Sequence, residues 1–220
     1  MVPIIIIAYN QLTYIKNMVR QCLPLTDKIY IIDNASTYQP LVDWYKNEVS
    51  QLKSVELIRH PNNSGFNVWT KYVDIFPEEY VITDPDLLFN PEMPTNVTSI
   101  LSDIGKRFDT KIVGLALDIS DYQNFTDAKC SGFSIYEFEK PYWSNKVQSE
   151  PYEIYAAKID TTFALHSKSR PRSYLRVAGR FTCKNIPWYR RDKSPLPIPI
   201  EEKAAYLKNN ICSYWSISDI

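Results

Sequence analysis

Glycine is scarce in this chain, at five of 220 residues. None falls in AYNQLTY, the stretch after the first apolar run, which excludes a glycine-rich phosphate cradle at that place. Histidine is scarcer still, at two residues, and Cys22, Cys130, Cys183 and Cys212 lie far apart with no C-x-x-C spacing. That argues against a zinc site or a disulfide framework and predicts reduced, mostly buried thiols. Charge of one sign is also missing: 25 Lys and Arg balance 25 Asp and Glu, so no long-range field argues for nucleic acid. The apolar VPIIIIAY at the N-terminus is too short to span a bilayer and lacks a basic n-region and a cleavage site. It reads as a buried strand. The expectation is a soluble, cytoplasmic protein, in which the N-x-S/T sequons at Asn34, Asn62, Asn96 and Asn124 go unused.

What is present is ordinary in bulk, with 45% hydrophobic and 23% charged residues. A chain of 220 residues can bury one sizeable core, so one domain is expected, though it could also be one module of a longer protein. Aromatic residues reach 14%, including sixteen tyrosines and five tryptophans, which suits sugar stacking and a tyrosine-rich core equally well.

Apolar runs alternate with helical periodicity through the first half. Strands are predicted at Val2 to Tyr9, Lys28 to Ile32, Val55 to Arg59 and Tyr80 to Thr83. Between them, helices are predicted from Leu12 to Cys22, from Pro40 to Leu52 and from Asn67 to Phe76. This order predicts an α/β fold with a mostly parallel central sheet flanked by helices. The second half is less regular. A helix over Pro94 to Phe108 and a strand over Lys111 to Leu117 precede the segments FSIYEF, KIDTTFALHS and the strand-like YLRVA. Residues 184–200 are proline-rich and read as a loop or lid, and Glu201 to Asn210 reads as a final helix.

In an open α/β sheet, ligands bind beyond the carboxyl ends of the strands. Four polar clusters fall at such ends: Tyr9-Asn10, Asp33-Asn34, Arg59 to Phe66, and Asp84-Pro85-Asp86. Each alone is also good turn chemistry. The last is the most specific. Residues two apart in extended chain point the same way, so both carboxylates can face one site. Close anions raise each other's pKa unless a cation lies between them. Magnesium typically takes one or two carboxylates plus substrate phosphates, so such a pair becomes a complete site when a diphosphate adds its oxygens.

VPIIIIAYN, KIYIIDNAS, RHPNNSGFN and YVITDPDL, in this order and spacing, resemble the GT-A glycosyltransferases, especially those of family 2. The small size also resembles virus-encoded capsid glycosyltransferases. The resemblance implies a nucleotide-sugar-binding half (about residues 1–110) and an acceptor-binding half (about 111–220). It implies a UDP-sugar donor, a carbohydrate acceptor, and Mn2+ or Mg2+ held by Asp84 and Asp86 on the diphosphate. By the same resemblance Ala8, Tyr9 and Asn10 contact the base, Asp33 bonds uracil with Asn34 beside it, and Arg59, Asn63 and Phe66 flank nucleotide and sugar. Inverting members use an acidic base, often in an E-D motif, and this chain has no E-D. Asp160 in KIDTTF is the nearest counterpart, equally readable as a structural acid bonded to Thr161, Thr162 or backbone; Asp118 is the second candidate. His166 could complete a metal site or be structural. Arg176, Arg180, Arg190 and Arg191 could neutralise a leaving diphosphate or simply be solvated. Trp188 and Tyr189 could form a stacking wall or lid. The resulting expectation is a metal-dependent, inverting glycosyltransferase. The alternative is an inactive module of the same fold that binds carbohydrate or nucleotide. A sugar-nucleotide pyrophosphorylase is disfavoured by the missing glycine loop.

Overall fold

The computed structural model describes residues 2–130, 132–147 and 150–208. Cys212 and the end of the expected final helix lie outside the described residues. The first strand, β1 (Ile4–Ala8), has every residue buried, as a strand covered on both faces requires. Helix α1 (Leu12–Cys22) then turns Tyr14, Ile15, Met18, Val19 and Cys22 toward the sheet. β2 (Ile29–Asn34), α2 (Gln39–Asn47) and β3 (Val55–His60) follow, and β2 pairs in parallel with both β1 and β3. Pro40 in the first turn of α2 costs no hydrogen bond there.

The helix expected over Asn67 to Phe76 is instead a 3-10 segment, Val68–Ile75. Val68, Thr70, Val73 and Ile75 are β-branched and crowd a regular α-helix, and the Thr70 hydroxyl donates back to the Asn67 carbonyl at 2.8 Å. β4 (Glu79–Thr83) then returns beside β1, again in parallel. The short β5 (Leu87–Phe89) and α3 (Val97–Arg107) lead to β6 (Ile112–Leu117).

Beyond β6 the chain is broken into small pieces. β7 (Lys129–Cys130) and β8 (Phe133–Ser134) form a separate hairpin, and α4 (Ile135–Glu139) opens on a Ser134–Glu137 capping box. FSIYEF is therefore a strand end followed by a helix. β9 (Lys146–Val147), β10 (Ile154–Tyr155), β11 (Ala164–Ser167), β12 (Tyr174–Asn185) and α5 (Ile200–Leu207) complete the elements.

The large sheet runs β3-β2-β1-β4-β11-β6-β12-β10-β9, with β5 also on β12. Its first four strands are parallel, while β11 lies antiparallel to both β4 and β6. That reversal matters: it brings the start of β11, not its end, to the edge where β1, β2 and β4 finish. Gly114 of β6 permits the close approach, because a Cβ there would come within 2.9 Å of Ala164 and 3.0 Å of Ile159. β12 runs parallel to β6 and delivers its carboxyl end to the same edge. Cys22 and Cys183 are free and buried, as expected. Among the described residues, no helix is long and apolar enough to cross a membrane.

Candidate active site

The loop after β1 places Asn10 at φ +51°, a conformation that asparagine tolerates better than most residues. The turn brings its amide back over the neighbouring loop, where Oδ1 accepts from the Thr37 and Tyr38 amides at 2.7 and 2.9 Å. Its own N–H donates to Ser36 Oγ, and Nδ2 donates to the Ala205 carbonyl of α5. Asn34, at the end of the adjacent β2, has a similar role. It donates to Asn63 Oδ1 and to the Gly65 carbonyl, and accepts from the Ser64 amide at 2.8 Å. These two buried amides fasten the loops of β1, β2 and β3 into one rim.

Beyond β4 the backbone of Asp84 donates to the Thr161 carbonyl at 2.8 Å, and the Thr161 hydroxyl donates to the Asp84 carboxylate. The Asp86 carbonyl accepts from Ile186, which ties the aspartates to the end of β12. Asp86 is 8% exposed, and its Oδ1 is buried without a hydrogen-bond partner. Burial, then the Asp86 charge, pushes the Asp84 carboxyl well above the usual range, and burial holds Asp86 at about 6. Asp84 and Asp86 thus share one corner, and Asp86 brings to it an oxygen with no hydrogen-bond partner.

A cavity of about 720 Å³ opens over this corner. That is within the size range of small-molecule sites. Tyr9, Asn34, Asn63 and Phe66 line the end beside β1 and β2, and Asp84 and Asp86 form the centre. Asp160 and Trp188 line it from the second half of the chain. Asp160 arrives there because β11 is antiparallel. Its carboxylate accepts from the Thr161 amide, and burial raises its pKa while Arg176 pulls the other way.

Other expected residues are placed elsewhere. Ala8 is buried in the main core. Asp33 has no exposed surface; its carboxylate accepts from the Tyr45 hydroxyl at 3.4 Å and faces Arg59 at 3.5 Å. Burial raises Asp33, and this inward turn takes both it and Arg59 out of the cavity lining. Asp118 accepts from the Ser120 amide, a turn contact outside the cavity. Arg180 lies over the Phe181 ring, and Tyr189 bonds Asp121. His166 is packed against Trp69 and stacked on Tyr80 toward the opposite end of β4 from the aspartates, so it cannot join them on a metal.

Sequence reasoning missed several lining residues: Gln11, Lys129, Phe138, Glu139, Tyr142 and Lys158. Most lie in segments whose short elements give little periodicity. Arg176 was singled out, but its partner was not: Nη1 donates to the buried Glu139 and Nε to the Lys158 carbonyl at 2.7 Å. The model described as "Glycosyl transferase family 2" matches residues 4–108, which contain the aspartate pair and the three loops of the rim. That stretch, just under half of the chain, is similar to the family 2 glycosyltransferases.

Two solved structures are similar to the chain. TarS from S. aureus has 13% identity and a TM-score of 0.42, with 76% of this chain and 47% of that one covered. An active-site mutant of LgtC has 13% identity and a TM-score of 0.40, with 75% of this chain and 57% of that one covered. The chain thus spans about half the length of the solved structures it matches. No curated protein matches it. The matched range covers the parallel half, and Asp160, Arg176 and Trp188 fall beyond it.

Proposed function

We propose that the chain transfers a sugar from a nucleotide diphosphate, with UDP as the carrier, to a carbohydrate hydroxyl with inversion at the anomeric carbon. The observation that carries this reading is the convergence of Asp84, Asp86 and Asp160 in one cavity, with Asp86 Oδ1 buried and unpartnered. Tyr9 and Phe66 offer rings to the nucleotide, and Asn34 and Asn63 keep that end rigid. Asp84 and Asp86 fit a hard divalent cation, Mn2+ or Mg2+, whose other ligands would be diphosphate and water oxygens. Such an ion, when bound, neutralises charge on the leaving diphosphate. Asp160 takes the proton from the acceptor hydroxyl, and burial, by raising its pKa, makes it a stronger base than an exposed aspartate. Trp188 and Tyr142 wall the acceptor side.

Thermal unfolding with UDP tests this directly. UDP with Mn2+ should raise the Tm of the wild type, since a ligand bound only by the folded state stabilises it. UDP without metal, or UDP with Mn2+ on Asp86→Ala, should give no comparable rise. A wild type indifferent to every nucleotide would end the transferase reading. Binding with no turnover of any UDP-sugar would favour an inactive binding module.

A further inference from the structure

The segment that carries Asp160 is held at both ends. On the far side, Thr161 is fastened to Asp84 by its hydroxyl and by its carbonyl. On the near side, the Lys158 carbonyl accepts from Arg176 Nε at 2.7 Å. Between these tethers Ile159 is 9% exposed and packs with Ile112 and Ala164, so it anchors the segment from beneath. Immediately after it, Phe163 sits at φ +45° with a fully buried ring, a conformation that bulky residues rarely adopt. A strained backbone persists only where its surroundings hold it.

Arg176 does more than close one tether. Its Nη1 donates to Glu139 at the end of α4, and its guanidinium lies 4.3 Å from the Tyr142 ring centroid. Both Glu139 and Tyr142 line the cavity on the acceptor side. Arg176 is 4% exposed and Glu139 2%, so neither charge is available to solvent or free to move. Burying two charges is costly, and a pair of apolar residues could fill the same volume at less expense. What an arginine supplies there is a planar fork that fixes three groups at once.

We infer that Arg176, set by Glu139, is a positioning residue of the transfer site: it holds the Asp160 segment and the Tyr142 wall in one fixed relation. The inference rests on the transferase reading for its catalytic consequence, but its geometry can be tested without turnover. Lysine at 176 keeps the charge beside Glu139 and cannot bond Glu139 and the Lys158 carbonyl in the same fork geometry. Glutamine at 139 keeps an acceptor for Nη1 and leaves the Lys158 tether intact.

Backbone hydrogen exchange is the first readout. In Arg176→Lys, exchange over residues 158–162 should rise about tenfold or more, including the Thr161 amide that bonds the Asp160 carboxylate. Exchange in β1 and β2 should not change. The second readout is turnover, measured as UDP released from UDP-glucose, UDP-galactose and UDP-N-acetylglucosamine with Mn2+. Arg176→Lys should lower kcat by about 10- to 100-fold with UDP affinity within twofold of wild type, and Glu139→Gln, which keeps an acceptor for Nη1, should lower kcat by a smaller factor.

Unchanged exchange over 158–162 in Arg176→Lys overturns the inference, and so does a loss of UDP affinity that matches the loss of turnover. A wild type that neither binds UDP nor releases it removes the transferase reading and the catalytic side of the inference together. UDP binding retained, with wild-type exchange and turnover in Arg176→Lys, removes the inference alone.

Discussion

The two halves of the molecule solve one problem with different materials. From β1 to β4 the strands are parallel and, β3 apart, largely buried, and two neutral amides fasten the loops at their ends. Asn10 and Asn34 each bond groups from adjoining loops. From β6 onward the strands are short or bent, and charged pairs do the fastening: Arg176 with Glu139, Lys184 with Asp121, and Arg170 reaching back to Glu79. A neutral amide tolerates burial at modest cost once its hydrogen bonds are made, whereas a buried charge requires its partner in place. The parallel half is thus a scaffold that local sequence can specify. The other half depends on long-range pairings that form only when the whole sheet is assembled.

That contrast can be broken most severely at Phe163. Its ring is fully buried and meets Phe89 edge-on at 4.8 Å in the main core. Phe163→Ala should cost about 3–5 kcal/mol in urea unfolding. Because the backbone is at φ +45°, glycine should relieve strain that alanine retains. Phe163→Gly is therefore expected to be more stable than Phe163→Ala by about 1 kcal/mol, the reverse of the usual order. Finding alanine the better residue would mean that the segment holds no strain.

The second effect depends on pH and lies at the seam between the halves, where β11 meets β4. His166 is buried against Trp69 and Tyr80, and burial, with Lys111 adding repulsion, lowers its pKa to about 4. The folded state therefore keeps it neutral where the unfolded chain would protonate it. The stability from this group is full above the unfolded pKa, about 6.5, and is lost as pH falls toward 4. The loss is at most about 3 kcal/mol. His166→Phe should flatten that limb of the stability–pH curve, whereas a parallel shift of the whole curve would show that the histidine titrates normally in the fold.

These cases also show how much could be read in advance. The α/β class and the four parallel strands were legible, because IIIIA, IYIID, VELIR and YVIT carry local strand signals. The aspartate pair was legible for the same reason, since spacing along one strand end is a sequence property. The inward turn of Asp33 was not, because it depends on Tyr45 and Arg59 from other elements. Nor could the sequence reveal that β11 runs antiparallel, the feature that turns Asp160 into a neighbour of Asp84. At Val68–Ile75 the helical spacing is visible in sequence, but the crowding of β-branched side chains decides for the 3-10 form.

A third, smaller effect tests the rim itself. Asn34 is 2% exposed, and Asn34→Ala leaves the Ser64 amide and the Asn63 side chain without a partner they now have. The expected cost is about 1–3 kcal/mol in thermal or urea unfolding. UDP affinity should weaken with it, because Asn63, Gly65 and Phe66 line the same end of the cavity. Stability lost with UDP affinity intact would separate the rim from the donor site.

The smallest effect is the control for the contrast. Lys28, just before β2, pairs with Glu56 of β3 at 2.5 Å, but both side chains are largely open to water, at 40% and 50% exposure. An exposed ion pair exchanges one set of hydrogen bonds for another and orders two flexible side chains. Glu56→Gln should therefore change stability by less than about 1 kcal/mol, and by less again as salt is raised. If it instead cost as much as removing one partner of the buried Arg176–Glu139 pair, burial would not be what separates the two halves. The charged fastenings of the second half would then differ from surface pairs only in number. A small, salt-sensitive change here beside a large, salt-insensitive one for Glu139→Ala would place the distinction in desolvation.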